Sequence, residues 1–190
     1  MEVTPQHLTL EAPDCYARLG TKVQQNPPIR DARHRAGLWE AVRQGVVDVL
    51  GSDHAPHTLA EKSQPYPKSP SGMTGVQTLL PLMLNHVAEG RLSLQRLVDL
   101  TSAGAQRIYN IAGKGRMALG YDADVTLVDL AARRVIEAKW IASKAGWTPF
   151  DGMAITGWPM GTIIRGRIVM RDGALAGPPA GQPVRFVDTL

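Results

Sequence analysis

Three side chains able to do acid–base or metal chemistry stand together in the segment Ser52-Asp53-His54-Ala55-Pro56-His57. This segment follows the apolar run of residues 46–50, which is typical of a buried parallel strand. Barrels and open α/β folds keep their chemistry at the carboxyl ends of such strands. A lone Asp53 is also compatible with a helix cap or a turn, but the whole segment after a strand favours function.

A second polar residue, Asn26, follows a predicted strand at residues 21–25. Pro27 and Pro28 stop that strand because neither can donate to a sheet ladder. The Asn26 amide can donate and accept hydrogen bonds, which suits a ligand with both kinds of group. The alternative is an asparagine that caps a turn before proline.

The elements around these residues follow a strand–helix–strand order. Residues 3–10 are expected to be extended, and Asp31 is expected to cap a helix that leads into residues 46–50. The segment 58–71 lacks periodicity and is predicted to be a long loop, a plausible lid or substrate clamp. Helices are predicted at residues 33–44, 76–90 (with a kink or late start at Pro81), 93–100 and 103–109. Residues 14–20 are expected to form a short helix or a turn.

The pattern changes at Gly113. Strands are predicted at residues 125–130, 134–141 and 162–170, and Asp172-Gly173 is typical of a two-residue hairpin turn. The sequence therefore predicts two domains, residues 1–112 and a β-rich module at residues 113–190. An irregular tail is expected from Gly177 onward.

Composition excludes several classes of protein. The chain has 190 residues, a net charge of +4 and one cysteine, so it has no internal disulfide or cysteine-rich zinc site, which fits a reducing cytoplasm. No apolar run is long enough to span a bilayer, and no aromatic residues interleave with its arginines as in a nucleic-acid-binding surface. A complete (β/α)₈ barrel takes about 250 residues. If the strands belong to such a barrel, we expect the chain to be part of a longer protein.

Residues 52–62 resemble the last barrel strand and loop of dihydroorotases in the amidohydrolase superfamily. The resemblance extends to residues 26–30, 70–75 and 146–152, and so covers nearly the whole chain in the family's order. It implies an α/β fold: the C-terminal part of a metal-dependent (β/α)₈ amidohydrolase barrel, plus part of the flanking β-sandwich.

The resemblance also implies roles for individual residues. Asp53 would be the catalytic carboxylate and a metal ligand, and substrate would be bound by Asn26, His57, Ser71 and Gly72. The family's site holds a zinc pair whose other ligands include a His-x-His pair, which this chain lacks. We therefore expect the chain alone to bind no zinc tightly and to have no activity.

Two histidines are left with open roles. For His7, a hydrogen bond near the site is favoured over direct chemistry. His54 is expected to support the site through a hydrogen bond. Pro56 and the strand end exclude a zincin helix at residues 54–57.

The leading functional hypothesis is a cytoplasmic dihydroorotase, which interconverts N-carbamoyl-L-aspartate and dihydroorotate in pyrimidine biosynthesis. One alternative is a non-catalytic dihydroorotase-like scaffold that binds aspartate transcarbamoylase. Another is a different cyclic amidase, such as an allantoinase or hydantoinase. The implied partners are a small-molecule substrate and either further copies of the chain or aspartate transcarbamoylase, with no nucleic acid and no membrane.

Overall fold

The computed structural model describes residues 1–179 and 181–187, and has mixed α/β content. In this part of the chain the strands are β1 Glu2–Val3, β2 Val49–Leu50, β3 Val125–Val135, β4 Ala154–Ile164, β5 Arg167–Arg171 and β6 Ala174–Leu175. The helices are α1 Pro5–Thr9, α2 Asp14–Leu19, α3 Ala32–Arg43, α4 Leu59–Lys62, α5 Leu79–Ala88, α6 Leu94–Val98 and α7 Gly104–Tyr109. A π-helical turn at Asp99–Ala103 joins the last two helices.

Strands β1 and β2 pair in parallel, and helix α3 leads into β2 as predicted. The strand predicted to precede that helix, at residues 21–25, does not form. Helix α3 begins after Asp31, whose side chain accepts the His34 backbone N–H, as the sequence predicts. The predicted strand at residues 46–50 is too long. The N–H groups of Val46 and Val47 both donate to the Ala41 carbonyl and so close the end of the helix instead of joining the sheet.

Two other predicted strands are wrong. Thr4 caps a helix at residues 5–9, where Pro5 occupies the first turn and needs no N–H partner, so local capping overrides the extended pattern. Residues 20–23 form a 3₁₀ turn, in which the Gln24 N–H donates to the Thr21 carbonyl instead of a sheet neighbour. The two consecutive prolines still end that segment.

The predicted helices after residue 75 are confirmed, with changed boundaries. Helix α5 starts late, so that Pro81 lies in its first turn, where a missing N–H costs nothing. Ser93 caps α6 as expected. The loop at residues 58–71 contains one short helix, α4, which the lack of periodicity did not reveal.

Strands β3 to β6 form an antiparallel sheet in chain order, and all four lie after residue 113. Asp172 and Gly173 have φ values of 50° and 82° and form the predicted hairpin turn. The predicted strand at residues 162–170 is divided between β4 and β5, because Arg165 and Gly166 form a second turn of this kind. The predicted strand at 134–141 ends at residue 135.

The sheet packs on the helical part through β4 and α5. A Cβ added at Gly157 of β4 would lie 2.6 Å from the Leu84 Cβ, so the strand backbone lies directly on the helix. The Asn85 side chain also accepts the Thr156 N–H at 2.9 Å. The division at residue 112 stays a prediction, and residues 180 and 188–190 of the second predicted domain lie outside the described residues.

Two apolar clusters hold these elements in place. One joins α3, α5 and α6 with the strand pair, and includes Trp39, Val42 and Leu84. The other joins residues 147–158 to Met73 and Leu82. Within the described ranges, none of the helices is long and apolar enough to cross a membrane.

Candidate functional site

Asp53 stands three residues beyond the end of β2, with its side chain exposed. Its φ of 45° lies in the left-handed region, which non-glycine residues rarely adopt and which is enriched at functional sites. The backbone next to it is fixed, because the Ala55 N–H donates to the Met73 carbonyl at 3.1 Å. The carboxylate is therefore presented to solvent by an ordered turn at the carboxyl end of the strand.

Four of the predicted site residues meet at residue 71. The Asn26 Nδ2 donates to the Ser71 Oγ at 3.2 Å, and the His57 Nε2 donates to the Ser71 carbonyl at 3.1 Å. The Gly72 N–H donates to the Gln24 carbonyl at 2.9 Å. These bonds form one cluster from three segments that are distant in sequence: residues 24–26, 57 and 71–72. Among the described residues, no direct hydrogen bond joins Asp53 to this cluster.

Gly72 allows this close approach. It has a φ of 131°, and an added Cβ would lie 2.5 Å from the Ala55 carbonyl oxygen and 3.2 Å from the His57 ring. Only a residue without a Cβ fits here without strain. Residue 72 is therefore held to glycine by its contact with residues 55 and 57.

His57 is anchored from two sides. The Trp147 indole N–H donates to the His57 carbonyl at 2.7 Å, and the Glu61 carboxylate lies 4.0 Å from the His57 Nδ1. Glu61 also forms a capping box with Thr58, and the hydrogen bonds from Thr58 lower the pKa of its carboxyl group. Trp147 has no role predicted from the sequence, although it lies in one of the segments that carry the family resemblance.

His54 and His7 make structural hydrogen bonds. The His54 Nδ1 accepts the Gly75 N–H at 3.1 Å, so a neutral His54 carries its proton on Nε2. His54 also lines a cavity of about 250 Å³ beside residues 141–143. The His7 ring contacts the Thr4 hydroxyl at 2.7 Å and the Pro27 carbonyl at 2.9 Å. His7 therefore ties helix α1 to the segment after Asn26.

The described residues do not bring together the ligands that a zinc pair needs. Within residues 1–179 and 181–187, no group of three or more His, Cys, Asp or Glu side chains is placed to hold a metal ion. A catalytic zinc typically has three protein ligands. The described part of the chain therefore does not fit a zinc site by itself.

Comparison with known proteins agrees with the architecture. The family model "Amidohydrolase family" matches residues 24–169. A dihydroorotase of Methanothermobacter thermautotrophicus is 40% identical over 172 residues, which are 90% of this chain and 39% of that protein. A dihydroorotase of Halobacterium salinarum is 40% identical over 184 residues, 97% of this chain and 43% of the relative.

The fold is similar to that of solved hydantoinases. The structure of an L-hydantoinase from Arthrobacter aurescens superposes with a TM-score of 0.89 at 35% identity, over 93% of this chain and 40% of that one. The chain thus spans about two fifths of the length of the proteins it matches. The resemblance derived from the sequence is confirmed, and the chain belongs to the amidohydrolase family.

Proposed function

We propose that this chain is the C-terminal part of a dihydroorotase, and that the full-length protein interconverts N-carbamoyl-L-aspartate and dihydroorotate. The observation that carries the proposal is the cluster at residue 71, where Asn26 and His57 converge beside the turn that presents Asp53. The 40% identity to dihydroorotases over most of the chain supports the same substrate class.

The cluster offers the groups that a cyclic amide with a carboxylate needs. Asn26 can both donate to a ring carbonyl and accept from a ring N–H. His57 can donate to the substrate carboxylate, and the backbone at residues 71–72 supplies further polar groups. Because the proposal gives none of these groups a proton to transfer, we assign them to binding.

Asp53 is assigned the proton transfer. Opening the ring requires a proton to reach the leaving nitrogen, and closing it requires that proton to be removed. An exposed carboxylate on a fixed turn can accept and return this proton. In the proposal Asp53 is also the single metal ligand from this chain, and any zinc pair would take its remaining ligands from elsewhere in the full-length protein.

A hydantoinase is the second candidate, because the L-hydantoinase matches both in fold and at 35% identity. The substrates differ in the carboxylate that His57 would bind. A scaffold that binds aspartate transcarbamoylase is the non-catalytic alternative. It predicts no turnover of any cyclic amide and co-elution with that partner.

The test is turnover by the purified full-length protein with dihydroorotate, hydantoin and allantoin. We expect dihydroorotate to be used best, and Asp53→Asn to lower kcat by about a thousandfold or more. Asp14→Asn, which alters an exposed carboxylate paired with Arg18, is the matched control and should leave kcat unchanged. Preference for hydantoin would refute the substrate assignment, and full activity of Asp53→Asn would refute the role of Asp53.

If the proposal holds, the protein acts in pyrimidine biosynthesis in the cytoplasm. It also follows that the 190-residue chain alone binds no zinc tightly. Stoichiometric zinc in the purified chain, measured by elemental analysis, would contradict this.

A further inference from the structure

Lys62 is the largest fully buried side chain among the described residues, with 1% of its surface exposed. It is the last residue of helix α4. Its Nζ donates to the Pro70 carbonyl at 2.8 Å and to the Gln24 carbonyl at 3.2 Å. In the part of the chain that the structure describes, no carboxylate forms an ion pair with it.

A buried ammonium group without a carboxylate is costly, because it gives up its hydration. Burial correspondingly lowers the pKa of Lys62. A methionine of similar size would fill the same space without that cost. The presence of a lysine at this buried position is therefore best explained by its hydrogen bonds to the two carbonyls.

Those carbonyls belong to the two segments that carry the substrate-binding residues. Gln24 lies two residues before Asn26, and Pro70 directly precedes Ser71. Other bonds cross the same gap: the Gln24 Nε2 donates to the Ser69 carbonyl at 2.9 Å, and the Thr21 hydroxyl donates to the Lys62 carbonyl. Lys62 thus lies at the centre of a polar network that joins residues 21–26 to residues 69–72.

We propose that Lys62 is a positioning residue that sets the spacing between Asn26 and the Ser71–Gly72 backbone, and thereby the affinity of the site for its substrate. It acts through these groups and does not touch the substrate. The proposal rests on the proposed function for what the site binds, while the clamp itself is a statement about the protein alone.

The experiment uses the full-length protein with Lys62→Met, a neutral side chain of similar length. Lys68→Met is the matched control, because Lys68 is exposed in the same loop and its loss removes the same charge. Misplaced binding groups weaken the ground state and transition state alike. We therefore expect KM for dihydroorotate to rise at least about fivefold in Lys62→Met, with kcat changed by less than about twofold. Lys68→Met should match the wild type.

Amide hydrogen exchange gives a second readout that does not depend on activity. The Gly72 N–H bonds the same Gln24 carbonyl as Lys62 does. Its exchange should become about tenfold faster in Lys62→Met, while the amides of helix α5 keep their rates. A wild type with no turnover would refute the proposed function, and exchange would still decide the role of Lys62.

Three results would overturn the inference. One is an unchanged KM together with unchanged exchange at Gly72. Another is a fall in kcat at constant KM, which would mean that Lys62 takes part in the chemistry. The third concerns folding.

If Lys62→Met does not fold, Lys62→Gln, which retains an N–H donor, replaces it and is expected to raise KM by about threefold. Global unfolding of both variants would show that Lys62 supports the whole fold and would also overturn it.

Discussion

Gly72→Ala tests the geometry of the candidate site most directly. The new Cβ would meet the Ala55 carbonyl oxygen at 2.5 Å, at a φ of 131°. Strained backbone of this kind costs about 1–3 kcal/mol. Overpacking against a fixed neighbour adds about 1–3 kcal/mol. Alanine regains about 0.4–1 kcal/mol by restricting the unfolded chain.

The balance is a loss of about 3 kcal/mol in the free energy of unfolding, and a fall of several degrees in Tm. Urea unfolding and differential scanning calorimetry of the full-length protein measure both. The matched control is Gly37→Ala, in the exposed interior of helix α3, where nothing lies within 4 Å of the new Cβ. It should stabilise the protein by about 0.5–1 kcal/mol.

Glycine-to-alanine replacement is thus expected to lower the free energy of unfolding at residue 72 and to raise it at residue 37. If Gly72→Ala were as stable as the wild type, the close approach of residues 55 and 72 would be wrong. Equal losses at both positions would mean that the effect is a general one of glycine replacement and not a property of the site.

Two further predictions concern the surroundings of the site. Trp147→Phe removes the indole N–H from the half-buried His57 carbonyl and should lower the free energy of unfolding, measured in urea, by about 1–3 kcal/mol. Trp140→Phe should cost less, because the Trp140 indole makes no hydrogen bond to the described residues. Burial lowers the pKa of His86 from its ordinary value of 6.5, so the unfolded state takes up the proton first, and stability should fall as the pH drops below 6.5. In His86→Gln, but not in the exposed control His34→Gln, that slope should flatten in urea unfolding curves taken at successive pH values.

Much of the helical structure could be predicted from the sequence because its determinants are local. Asp31 and Ser93 each accept a backbone N–H at a helix start, as their positions indicate. The hairpin at Asp172-Gly173 needs only two residues that tolerate positive φ. Such signals do not depend on the rest of the fold.

The strand predicted at residues 46–50 is too long because two possible acceptors compete for the same backbone N–H groups. The N–H groups of Val46 and Val47 find a helix carbonyl before they can join a strand. Apolar periodicity does not report this. Lys62 was missed for a related reason: an isolated lysine in a polar loop gives no sign of burial, and its two carbonyl partners lie 38 and 8 residues away.

Residue type and position after an apolar run or before a proline pair single out Asp53, His57 and Asn26, and the family resemblance assigns their roles and adds Ser71 and Gly72. Asn26, His57, Ser71 and Gly72 meet at residue 71, although their segments are far apart in sequence. Asp53 and Gly72 both have positive φ values, and they stand on segments bonded to each other through Ala55 and Met73. Gly72 lies against the Ala55 carbonyl oxygen, so a Cβ added at residue 72 would press directly on the segment that carries Asp53. If the proposed function is right, Gly72→Ala should therefore lower kcat as well as raise KM. The Lys62 ammonium bonds the Gln24 and Pro70 carbonyls, and its loss adds no atom against that segment, so it should raise KM with little change in kcat.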